Sequence, residues 1–204
     1  MKTIIFVAAF VCLAFPAGAF ELQSLRAADI KTAGAPVPPA AAAAPEEKQL
    51  QELRMNIYGS PSWQETEAED NTAGIDVRVR KVFDRLFSVD SRVETIGERS
   101  NINKSGVNFQ FSCSAADLRM DDYGGSYGIS GSVVGEHGQT GRIALDLYKG
   151  FDGYSFSVSG TGLNMSVTRS GISGNYDGKH YSKKAVAAVV ALILAVQVDK
   201  TPVR

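Results

Sequence analysis

The chain has 204 residues, with 21 basic side chains against 22 acidic ones and 44% hydrophobic residues. That length suits one domain plus a tail. The charge balance offers no electrostatic reason to expect nucleic acid or an anionic membrane surface as partner. Of two cysteines, Cys12 lies in the first apolar run and only Cys113 comes after it, so a core rather than a disulfide framework has to hold the fold.

Residues 1–19 have the build of a cleavable secretory signal. Lys2 is the positive flank, residues 4–15 are apolar, Pro16 breaks the run, and Ala17-Gly18-Ala19 is a small-x-small cleavage pattern. The run is shorter than the ~20 residues a membrane span needs. The sequence therefore predicts an exported protein, periplasmic, envelope-associated or secreted.

Proline and glycine divide the rest of the chain. Five of the seven prolines fall within residues 36–61, and sixteen of the twenty glycines within residues 97–178. Residues 20–73 read as a tether, with an Ala/Pro-rich stretch at 32–45 that cannot bury enough side chain to fold alone. A short helix is expected near 46–58, where Leu50, Leu53 and Ile57 stand at helical spacing. Residues 65–71 are acidic and read as a solvated loop.

Residues 74–204 are expected to form the folded domain. Val79, Val82, Phe83, Leu86 and Phe87 fall at i, i+3, i+4, i+7 and i+8, which predicts an amphipathic helix over 79–88. From Val107 the period changes to two. Phe109 and Phe111, Ile143 and Leu145, Phe156 and Val158, and Met165 and Val167 alternate with polar neighbours, as half-buried strands do. Asp152-Gly153, Gly160-Thr161-Gly162 and Asp177-Gly178 supply tight turns, so neighbouring strands are antiparallel. Residues 185–196 are an unbroken apolar run, preceded by Lys183 and Lys184 and continued to Val198 after Gln197. At ~1.5 Å per residue they are too short to cross a bilayer as a helix, and a helix over 183–198 packed on the sheet is expected. The resulting expectation is an α+β fold: an antiparallel meander of six or seven strands within residues 107–176, with helices on its apolar face.

No nucleophile elbow, phosphate loop or zinc spacing occurs, and the sequence suggests no catalytic, cofactor or metal residues. His137, His180 and Asp121 would suggest an enzyme only if they converged. The polar face of the strands stands out instead. Ser130, Ser132, Ser155, Ser157, Asn164, Ser166 and Thr168 are small and uncharged where a solvated face normally carries Lys and Glu. These seven residues are a candidate binding surface for another protein or a cell-envelope polymer. Two alternatives are membrane association through residues 185–198 and a contribution of strands to an outer-membrane barrel, which needs at least eight strands.

Overall fold

A computed structural model describes residues 50–59 and 64–200. Twelve strands form one closed antiparallel barrel: β1 (Leu50–Tyr58), β2 (Glu65–Asp70), β3 (Ile75–Phe83), β4 (Leu86–Val93), β5 (Ile96–Ser105), β6 (Asn108–Cys113), β7 (Ala116–Asp122), β8 (Ser126–Val134), β9 (Thr140–Lys149), β10 (Phe156–Gly160), β11 (Leu163–Val167) and β12 (Gly171–Asp177). Each strand pairs with its sequence neighbours. The seam is closed by β1 on β12, with Leu53 opposite Gly174 and Met55 opposite Ile172. Closure leaves the wall without a free edge.

Helix α1 (Lys183–Asp199) comes after β12, and residues 185–198 are all buried. A helix that is apolar all round has no solvent face to offer and needs enclosure on every side. The barrel supplies it: the inward residues of the strands form one core cluster with those of α1. Ser182 caps the helix N-terminus, its side chain accepting a hydrogen bond from the Ala185 amide. The helix runs closest to β3, then to β4, β7, β6 and β2. Small side chains on both elements, the alanines of α1 and Val77 and Val79 on β3, suit that close approach. The far wall fills its wider gap with Leu145, Leu147, Phe156, Leu163, Met165 and Tyr176, all buried.

Two glycines let the wall bend. At Gly131 φ is +150°, and a Cβ there would collide with the Asp117 carbonyl oxygen of β7. At Gly174 a Cβ would collide with the Asn164 carbonyl oxygen of β11. Such close backbone approach is how a sheet turns a barrel corner.

The structure corrects the expected α+β meander. The wall has twelve strands rather than six or seven, it closes on itself, and one helix lies inside it instead of helices on a face. The stripe expected as a helix over 79–88 is the end of β3, a tight turn at Asp84 and Arg85, and the start of β4. Val79 and Phe87 are buried there, while Val82 and Phe83 are exposed at the turn. Residues 50–58 of the expected short helix are β1, with Leu53 and Met55 inward at period two. The acidic loop is β2, whose inward side is Thr66, Ala68 and Asp70. Both strands belong to the barrel and not to a tether. The expected signal and the Ala/Pro stretch lie outside the described residues.

Candidate functional site

With the lumen filled by α1, the outer wall, the turns and the two mouths are left to meet a partner. Antiparallel register places outward side chains in rows that cross the strands at ~4.8 Å intervals. One row runs Tyr148, Ser157, Ser166, Ser173 and Arg54 over β9, β10, β11, β12 and β1. The next runs Asp146, Ser159, Asn164, Asn175 and Glu52 over the same strands. Across β10, β11 and β12 both rows consist of hydroxyls and amides alone.

Of the seven predicted surface residues, Ser157, Asn164 and Ser166 therefore form one contiguous field. Ser130 and Ser132 face outward on β8 but are separated from it by β9, where Ala144 and Arg142 stand opposite them. Ser155 precedes β10 and is engaged in its turn: its amide and hydroxyl donate to Asp152 at 2.8 and 2.7 Å. These bonds, with that from the Tyr154 amide, lower the Asp152 carboxyl to about 2. Thr168 comes just after β11, and its hydroxyl donates to the Gly171 carbonyl at 3.0 Å. Ser155 and Thr168 are turn residues.

The opposite side of the barrel is built differently. Glu67, Arg78, Asp90 and Arg99 stand in register on β2, β3, β4 and β5, one row of alternating sign. Glu67 and Arg78 are 2.6 Å apart and Asp90 and Arg99 2.8 Å, while Asp76 and Arg92 pair at 2.9 Å in the next row. Glu67 holds the Arg78 guanidinium above its ordinary range. Between these halves the outer surface of β5–β8 has a shallow concavity of ≈ 750 Å³, lined by polar residues including Asn101, Gln110, Ser112 and Ser130.

The two mouths differ as well. At the C-terminal end of α1, Asp199 pairs with Lys104 and with Lys81, and Lys200 donates to the Tyr127 hydroxyl. Burial first, then the neighbouring Lys149, holds Lys200 below the usual lysine range. At the other mouth Lys183 pairs with Glu94 at 2.9 Å, and Glu98 accepts from the Ser114 amide and hydroxyl. His180 Nδ1 is 3.2 Å from Asp177 at this same mouth, and His137 is in the nearby β8–β9 turn. Asp121 lies toward the opposite mouth and pairs with Arg119. The three groups do not converge. Cys113 is half-buried against the core, and burial pushes its thiol up, away from the lowered range of reactive thiols.

Sequence reasoning missed Tyr148, whose ring borders the Ser157 row, and the apolar residues at the hairpin tips. The signal for the latter was present: Phe83 precedes Asp84-Arg85, Val107 comes after Gly106, and Phe151 precedes Asp152-Gly153. A large apolar residue beside a turn has no core to enter. Compared with known proteins, the chain matches no family model, no curated protein and no solved structure.

Proposed function

We propose that this chain is a non-enzymatic envelope protein that binds a cell-envelope polymer or another protein across the outer wall of β10, β11 and β12. The observation that carries the reading is the contrast between the barrel's two halves. On β2–β5 the chain treats water as surfaces normally do, with paired opposite charges. On β10–β12 it places Ser157, Ser159, Asn164, Ser166, Ser173 and Asn175, side chains that hydrogen-bond a flat polar surface with little desolvation cost. The filled lumen argues against carriage of a ligand inside the barrel, and the lack of a free edge argues against strand addition.

A β-barrel without apolar helical spans is compatible with an envelope or outer-membrane location, and among the described residues no helix is long and apolar enough to cross a membrane. An envelope site facing water fits better than a lipid-facing wall, because a membrane barrel turns an apolar band outward. Here the large apolar residues of the strands point in, apart from Tyr148 and those at the strand ends. Export rests on the pattern of residues 1–19.

Replacing Ser157 and Ser166 with Lys tests the reading. Surface changes of this kind leave stability within about 0.5 kcal/mol. Co-sedimentation with an insoluble envelope-polymer preparation, and the oligomeric state on a sizing column, should show association in the unaltered protein and its loss in the double variant. Equal association by both proteins overturns the proposal.

A further inference from the structure

In an antiparallel barrel of twelve strands, alternate turns gather at the two rims. The rim at the C-terminal end of α1 carries the turns β3–β4, β5–β6, β7–β8 and β9–β10, as the contacts of Lys81, Lys104 and Lys200 with Asp199 and Tyr127 establish. Among the described residues nine large hydrophobic side chains are exposed. Six of them sit at this one rim: Tyr58 at the end of β1, Val82 and Phe83, Val107, Tyr123 and Phe151. Phe83 is 69% exposed and Phe151 wholly so. Tyr148 lies two residues before the Gly150 that begins the β9–β10 turn. Only Leu50 and Ile96 belong to the other rim, whose turns are made of residues such as Asn71, Thr72, Glu94, His137 and Thr161.

The distribution has no explanation in folding. Each apolar tip leaves a wall whose core is already complete, and each is water-exposed at a cost that a polar turn residue would avoid. The same rim also presents the exposed cations Arg85, Lys149, Arg169 and Lys200, against exposed Asp84 and Asp152. Partly exposed Asp121, Asp122 and Asp199 lie at the same rim, Asp121 paired with Arg119 and Asp199 with Lys81 and Lys104, so the cationic excess is one of the exposed groups. Aromatic and aliphatic tips interleaved with Lys and Arg match the boundary layer of a bilayer. There, ring and methyl groups enter the acyl margin while cations meet the headgroups.

We propose that this rim docks the barrel end-on to an anionic lipid membrane, with Phe83, Val107 and Phe151 entering the headgroup boundary and Arg85, Lys149 and Arg169 pairing with lipid phosphates. The contact is peripheral: three tips and a few cations give reversible binding, strengthened by anionic lipid and weakened by salt. The long axis of the barrel then stands away from the bilayer, and the Ser157–Ser166 field faces sideways and stays free. Membrane docking by the rim requires no partner on that field.

Flotation with vesicles tests it, using protein recovered from the exporting compartment, so that a leader containing the apolar run of residues 4–15 has been removed. Unaltered protein should float with phosphatidylcholine–phosphatidylglycerol vesicles and bind pure phosphatidylcholine at least several-fold less. The double variant Phe83→Ser, Phe151→Ser should keep its circular dichroism and thermal midpoint, and its vesicle partitioning should fall about tenfold or more. The Ser157→Lys, Ser166→Lys variant should partition no less than the unaltered protein, which separates this contact from polymer binding. Failure of the unaltered protein to float, or equal flotation of the Phe variant, overturns the proposal. So does a dimer on a sizing column that the same Phe variant dissolves, which would make the rim an interface between two copies.

Discussion

Asp199 Oδ2 accepts the Lys104 ammonium at 2.6 Å, tying the last residue of the lumen helix to β5. Its other carboxylate oxygen is 3.4 Å from Lys81 of β3, and both partners are largely shielded from water. An acidic residue at a helix C-terminus opposes the helix dipole. The two lysines offset that penalty and fix the depth of the helix in the barrel. Replacing Asp199 with Ala leaves two shielded cations facing each other, and unfolding in urea should show a loss of about 2–3 kcal/mol. Lys104→Met, which leaves Asp199 paired with Lys81, should cost less than half of that.

The lumen helix is core on every side, so its substitutions should behave as core substitutions throughout. Leu192 is fully buried. Leu192→Ala should destabilise by about 2–5 kcal/mol, and Leu192→Asp should give no cooperative unfolding transition. Deleting residues 185–198 should give a chain with no near-UV dichroism, because the wall would enclose an empty lumen.

Gly174→Ala should cost about 3 kcal/mol, more than an ordinary strand Gly→Ala change. The new methyl meets the Asn164 carbonyl oxygen, and stands 2.6 Å from the Met165 Cα, both backbone atoms that cannot swing away. Ser166→Ala on the neighbouring strand is the control and should leave the urea midpoint unchanged.

Alkali should unfold the barrel from within. Burial, with Glu136 and Asp70 adding to it, pushes the Tyr176 phenol up to about 12, and burial raises Tyr127 and Tyr181 too. An unfolded tyrosine releases its proton near pH 10. Between about pH 10 and 12 the unfolded chain holds fewer protons than the folded one, so stability falls as pH rises through that window and is complete below it. Tyrosinate absorbance against pH should show these rings ionising together with loss of near-UV dichroism. The Tyr181 hydroxyl is buried without a hydrogen-bond partner. Tyr181→Phe should therefore be neutral or stabilising by about 1 kcal/mol, and it should shift the alkaline transition upward.

The half of the barrel legible in the sequence is the half whose inward residues are large. Leu145 and Leu147, Phe156 and Val158, and Met165 and Val167 mark their strands because the far wall fills a wide gap. Close to α1 the wall has less room and the rhythm fades. β2, beside the helix, turns in only Thr66, Ala68 and Asp70; on β5 Ile102 is the sole buried side chain, so that strand shows no alternation either. At β3 and β4 an unmarked Asp84-Arg85 turn joined the ends of two strands into an accidental helical stripe, although Ile75, Val77 and Val79 also alternate. The apolar run at 185–198 was legible as a helix. Its place inside the barrel was not, since closure depends on β1 meeting β12 across more than a hundred intervening residues. The Ser157–Asn164–Ser166 field was visible as chemistry, but its unity with Ser173 and Asn175 needed the register.

Since α1 is the final element of the described chain, the ribosome makes the stopper after the bottle. The β1–β12 seam cannot close over an occupied interior until residue 199 is available, so a chain cut short of it is expected to leave the inward apolar side of its strands wet. The wall and its filling are therefore one cooperative unit, completed by the last helix and not by the strands alone.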